Sequence, residues 1–181
     1  MYWCNRSALF TTSFILLLGI ASCKRDSNAT VDTKAFFDIK GYFEADSARL
    51  TKVNPLVTKT ATHNHVPETQ KVHITNWGTE LSLFTQSDIN KPAWRNSYQA
   101  NTTDNITIYL AKDPSLKTQK VVIKKENDKL KWIMIINHTK NILYENTEML
   151  SYFPDSLYLI QKKQRVRVLG TDTYRISGLL K

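Results

Sequence analysis

At about Tyr98 the spacing of apolar residues changes from every third or fourth position to every second, and no other feature restricts the fold as strongly. Before the switch, Phe36, Ile39, Phe43 and Leu50 stand on one face of a 3.6-residue period. That spacing predicts a helix over about 33–50, capped by Asp32 or Thr33. Gly41 inside it weakens the helix by about 1 kcal/mol relative to Ala. Trp77, Leu81 and Phe84 repeat the pattern and predict a second helix over 77–89, with Asn76 as cap and Pro92 as stop. Between the helices, 56–62 and 70–75 read as a hairpin joined by His-Asn-His-Val-Pro-Glu. After the switch, strands are expected at 105–112, 119–126, 130–137, 142–152, 157–163, 165–169 and 174–179, parted by turn-forming segments. One or two N-terminal helices packed on an antiparallel meander of about seven strands make an α+β fold. At 181 residues, the length fits a single domain, taken as 33–181.

The alternation also assigns faces. Leu130, Trp132, Met134 and Ile136 lie on one side of their strand. Val121 and Ile123 are expected to join them across the Asn127-Asp128-Lys129 turn, which makes this the core side. The other side then carries Lys124, Glu126 and Lys131, with Ile133 and Ile135 partly covered.

The N-terminus reads as an address. Arg6 precedes an apolar run over 8–21, which as a helix covers about 21 Å and falls short of the ~30 Å hydrocarbon core. A charged start, a short apolar middle and a small-residue ending describe a secretory signal peptide over 1–22. Ile20-Ala21-Ser22-Cys23 resembles a bacterial lipobox, with Ile in the place usually held by Leu. The expected product is a lipoprotein with its anchor on Cys23 and a polar, flexible tether over 23–32. Lys24 does not resemble the Asp that retains some lipoproteins in the inner membrane, so the outer membrane is expected, on its periplasmic face or at the cell surface.

This reading bounds the chemistry. The two cysteines are Cys4, which leaves with the signal peptide, and Cys23, which takes the lipid. The mature chain then has no disulfide, no thiolate nucleophile and no Cys-bound metal. No G-x-S-x-G, S-x-x-K or H-E-x-x-H is present, and the five glycines never cluster into a phosphate loop. Glu145/Glu148 and Asp113/Glu126 have no spacing that implies a shared cleft. A non-enzymatic chain without cofactor is expected. His63 and His65 are the weak metal candidates, because positions i and i+2 of a strand share a face. His73 falls too far along the hairpin to join them. Asp46-Ser47-Ala48 and Asp155-Ser156-Leu157 resemble a bacterial O-glycosylation signal, with both serines expected to be reachable.

The phrases FFDIKGYF (36–43), NPLVTKT (54–60), SDINKPAW (87–94) and NILYENTEMLSYFPDSLYLI (141–160) resemble a family of uncharacterised bacterial envelope lipoproteins. The resemblance covers most of the mature chain and implies an anchored envelope domain. It carries over no catalytic or binding residue.

Formal charge is +9, from 25 Lys+Arg against 16 Asp+Glu, and the excess sits on the meander. Residues 112–140 hold eight Lys against three acids, and 160–181 hold six Lys+Arg against one. Behind a secretory signal the anionic partners at hand are lipid headgroups, acidic glycans and envelope proteins rather than nucleic acid. Lys124, Lys125 and Lys131 are the candidate anionic-partner surface. The preferred reading is an outer-membrane lipoprotein whose domain binds or scaffolds an envelope component. The alternative is a carrier whose sheet curls, like a half-barrel, around a lipid or other hydrophobic ligand.

Overall fold

Short turns with left-handed backbone set the architecture. Asn64 and His65 both have positive φ (46° and 74°), as do Asn127 and Asp128 (50° and 60°). Asn and Asp tolerate that region, and two such residues in a row make the tight turn whose twist suits an antiparallel pair. The computed structural model describes residues 34–181, which form one compact unit. The expected signal peptide, Cys23, the tether and the caps Asp32 and Thr33 lie outside the described residues.

The elements, in chain order, are α1 (Ile39–Val53), β1 (Leu56–His63), β2 (Val66–His73), α2 (Trp77–Glu80), α3 (Ser82–Thr85), β3 (Tyr98–Thr103), β4 (Ile106–Ala111), β5 (Thr118–Glu126), β6 (Lys129–Lys140), β7 (Tyr144–Phe153), β8 (Leu157–Val166) and β9 (Gly170–Leu180). All strands join one antiparallel sheet in the order β2-β1-β9-β8-β7-β6-β5-β4-β3, so the count is nine rather than about seven. The N-terminal hairpin adds two strands, and β3, which the periodicity did not mark, takes the place of one lost where two expected strands are continuous as β8. β1 pairs with β9, from Val57 opposite Leu180 to His63 opposite Tyr174, and extends the meander past its C-terminal edge. Periodicity carries no information about a pairing between segments this far apart in sequence.

Helix α1 begins later than expected. Asp38 is its cap and accepts from the Gly41 N–H at 2.8 Å. A Cβ at residue 41 would overlap the Asp38 carboxylate, so the glycine that costs helix propensity also makes room for the cap. Asn54 ends the helix in the left-handed region, its N–H on the Leu50 carbonyl at 2.8 Å. The second predicted helix is broken into α2 and α3 at Leu81, which is buried, while Asn76 caps α2 as expected. The predicted strands at 157–163 and 165–169 are one strand, β8, followed by a turn.

The helices pack on one face of the sheet. Ile39, Phe43 and Leu50 of α1, with Trp77, Leu81 and Phe84, meet strand residues including Val121, Ile133, Ile135, Leu150, Tyr152 and Tyr158 in one core. Phe43 stacks on Phe84 with centroids 4.6 Å apart, and Tyr152 meets Phe43 edge-on at 5.1 Å. Tyr158 lies over Gly178, where any Cβ would overlap its ring. The tyrosine fills the gap that the missing side chain leaves. These core side chains fill the space between helices and sheet.

The face assignment around the 127–129 turn is corrected. Val121 pairs with Ile135 and Ile123 with Ile133, and these four form the core side. Trp132 pairs with Lys124 on the other side, so Lys124 shares the Trp132 face instead of opposing it. Both parities of 130–136 are apolar, and alternation cannot rank two apolar faces. Which one is buried depends on where the helices pack.

Candidate functional site

The registers that place Ile133 and Leu150 under the helices place a second apolar set on the opposite side. Strand β4 contributes Ile106, Ile108 and Leu110, and β5 contributes Val122. Strand β6 adds Trp132, Met134 and Ile136. Met149 and Phe153 follow on β7, then Leu157 and Leu159 on β8 and Leu179 on β9. Among the described residues no helix packs on this face, and Leu110 and Leu179 stay 43% and 44% exposed. A sheet that is polar on its open side alternates apolar-in and polar-out; this one does not.

The face changes character along the strands. One step beyond Met149 and Gln161 the ladder row reads His138, Thr147, Lys163 and Thr173. A hollow of about 480 Å³ lies across the two rows, lined by Thr62, Thr147, Met149, Gln161, Lys163 and Arg175 among others. Lys163, Arg165 and Arg175 are exposed and Lys120 and Lys124 half-buried, and none of the five has an ion-pair partner among the described residues. The carboxylates on this side are engaged: Glu126 lies 3.1 Å from Lys131 and Glu145 lies 3.6 Å from His138.

The helix-covered face handles its charges differently. Lys59 pairs with Glu80 at 2.8 Å, and Glu80 also accepts from Tyr158. Arg49 bridges Asp46 and Asp155, each at 2.7 Å, while Asp46 accepts from the Tyr152 hydroxyl. Burial, and then Asp46, push the Tyr152 phenol far above its ordinary value. Burial does the same for Tyr158, reinforced by Glu80. Burial alone raises Tyr98 to about 12.

A buried polar cluster sits beyond α3. Asn137 donates to Ser87 Oγ at 2.8 Å and to Glu148 at 3.2 Å, and Asn146 donates to the other Glu148 oxygen at 2.9 Å. Ser87 in turn donates to the Leu83 carbonyl at 2.7 Å. No base faces that hydroxyl, so the cluster has the chemistry of a packed polar junction rather than an activated nucleophile.

The residues singled out from sequence are scattered. His63 lies on the helix side, stacked on Tyr174 at 4.5 Å and 3.6 Å from Asp172. His65 occupies the turn, where the strand alternation has ended, so the two histidines do not share a strand face. His73 pairs with Leu56 at the far end of the hairpin, and no metal-sized group of His, Cys, Asp and Glu occurs among the described residues. Lys124, Lys125 and Lys131 do not form one surface. Lys124 is on the open face, Lys125 points to the helix side with Nζ 5.6 Å from the Phe37 ring, and Lys131 sits at a register shift against Glu126. That shift, between Lys124 and Lys125, breaks the alternation on which the expected surface rested. Ser47 is buried with Asp46 and is not reachable; Ser156 is exposed in its turn. Glu145 and Glu148 lie on opposite faces. Sequence reading missed Lys163 and Arg175 as a pair, although Leu157 and Leu159 beside Tyr158 and Ile160 already show a strand apolar on both sides.

No family model matches the chain, and neither a curated protein nor a solved structure matches it.

Proposed function

We propose that the chain is a non-enzymatic, lipid-anchored module of the bacterial outer membrane that binds an envelope component through the open face of its sheet. The observation that carries this reading is an apolar sheet face that no described residue covers, with unpaired cations along its border. Contiguous exposed apolar surface on a monomer marks an interaction site more often than chance. The lipobox-like Ile20-Ala21-Ser22-Cys23 supports the anchor, and a tether of about ten residues would let the domain reach roughly 35 Å from it. No helix among the described residues is long and apolar enough to cross a membrane.

Two measurements test it. Radiolabelled palmitate is expected to enter the wild-type chain and not Cys23→Ala; equal labelling removes the anchor. A photo-crosslinking amino acid at Met149 on the open face is expected to capture an envelope component in cells, and one at the exposed Lys40 of α1 is not. Equal capture at both positions, or none at Met149, removes the assignment of the face.

The carrier reading keeps one supporting observation, the 480 Å³ hollow beside Met149, which is large enough for part of a ligand. The helix-covered side is filled by its own aromatic residues, so a carried chain would lie on the open face. Native mass spectrometry of the full chain would show a co-purifying ligand if it is a carrier and the bare protein mass if it is not.

A further inference from the structure

We infer that the partner of the open face is an anionic phospholipid surface, on which the apolar block rests while Lys163, Arg175 and their neighbours meet phosphates. This rests on the preceding reading, that the open face is the binding face, and names its ligand.

Lys120 and Lys124 flank Val122 on β5, within the apolar block rather than outside it, and Val122 is only 6% exposed beneath them. Lysine is depleted from the centre of protein interfaces, because burying it there costs its hydration. At a membrane surface the same arrangement is favourable: the aliphatic stem lies on apolar surface and the ammonium reaches up to the headgroups.

From β4 to β9 the block spans five strand spacings of about 4.8 Å and two double steps of about 6.7 Å, a flat area on the order of 300 Å² that Ser151, Gln161 and Ser177 interrupt. A stable protein interface takes roughly 800 Å² of accessible surface from each partner, rim included, and the block supplies at most its centre. A bilayer sets no such threshold for a domain that is already tethered, since docking is then an intramolecular step.

A second copy of the chain does not fit the charges. Two copies face to face are related by a two-fold axis in the plane of contact. That axis sets the cationic end of each copy against either the cations or the apolar end of the other. Of the carboxylates on this side, Glu126 is paired with Lys131 and Glu145 stands between Lys140 and Arg165 in the ladder, so neither arrangement neutralises Lys163 and Arg175. An anionic lipid surface neutralises both. A single lipid molecule on an open sheet would keep half its chain in water, whereas a bilayer leaves none exposed.

The test uses the full chain attached to vesicles and reads one residue on the face. Trp132 emission, taken as the difference between wild type and Trp132→Phe, is followed with phospholipids brominated on their acyl chains. In equal parts of phosphatidylglycerol and phosphatidylethanolamine, Trp132 is expected to be quenched; in phosphatidylcholine it is not. The phosphatidylcholine arm, in which the chain is attached in the same way, reports how much quenching attachment alone produces. Lys163→Gln and Arg175→Gln are each expected to lower the ratio of docked to undocked protein about fivefold. Lys163→Arg keeps it. Salt weakens docking as the Debye length falls from about 8 Å toward 3 Å. Equal quenching in both lipids, or none in either, overturns the inference, as does light scattering that shows a dimer with Trp132 shielded. If Met149 crosslinks a protein while Trp132 remains unquenched, the inference falls and the binding role of the face stands; if both fail, both fall.

Discussion

The two faces of this sheet are built from the same kinds of residue, and they differ in what has been done with their charges. On the helix side every strong acid near the aromatic core has a partner: Asp46 with Arg49 and Tyr152, Glu80 with Lys59 and Tyr158. On the open side Ile108, Met134, Met149 and Leu159 present a comparable run of apolar side chains, but Lys163, Arg175 and Lys120 are left unpaired beside them. The helix side pairs these carboxylates internally, although Trp77 Nε1, Asn137 Oδ1 and Asn146 Oδ1 stay buried without a partner. The open side leaves its cations to solvent or to the partner proposed above.

The contrast makes mutations on the two sides unequal. Phe84→Ala removes a ring stacked on Phe43 and edge-on to Tyr152 and should cost about 3–5 kcal/mol, read by denaturant unfolding. A loss below 1 kcal/mol would mean that the helix side is not the core. Gly178→Ala forces a methyl into the Tyr158 ring, and the expected loss is about 1–3 kcal/mol. Gly178→Ala with Tyr158→Leu should recover part of it, and no recovery would place the strain elsewhere.

Alkali probes the buried phenols next. Tyr152 and Tyr158 have folded-state values raised above 10.0, so they stabilise the fold fully below about pH 10. Above pH 10 the unfolded chain loses protons that the folded chain keeps, and stability falls by about 1.4 kcal/mol per pH unit for each such group. Tyr152→Phe should flatten that decline above pH 10 without altering it near neutrality; an unchanged slope would deny the burial of this hydroxyl. The smallest stability effect belongs to the open face. Leu159→Gln and Met149→Gln, although they replace large apolar residues, should shift stability by no more than about 0.5 kcal/mol. A loss as large as that of Phe84→Ala would show the open face to be a covered core, and would sharpen the comparison into a search for its cover.

Local signals in the chain were strong where a single residue decides the backbone. Asn76 before Trp77 and the Asn127-Asp128 turn are readable without tertiary structure, because caps and left-handed φ act within a few residues. Pro92, by contrast, does not stop α3, which ends at Thr85, but opens a short 3-10 turn of its own. Helix α1 was readable as an element but not in its start, since Phe36 and Phe37 are apolar enough to extend the pattern. Asp38 with Gly41 supplies a cap that periodicity does not register. Leu81 fits the helical stripe too, and the break there follows from packing.

By itself, then, the sequence determined an α+β chain, the Asn127-Asp128 turn, the approximate place of most strands though not of Tyr98–Thr103, and the concentration of positive charge after residue 112. Those depend on short-range sterics and on composition. The tertiary structure decided that β1 closes onto β9, that Ile133 rather than Trp132 faces the helices, and that Lys163 and Arg175 share one hollow while Lys124, Lys125 and Lys131 part company. Each of these depends on which of two similar apolar surfaces is covered and on a single register shift. Both are settled by contacts between residues far apart in the chain, where alternation has nothing left to distinguish.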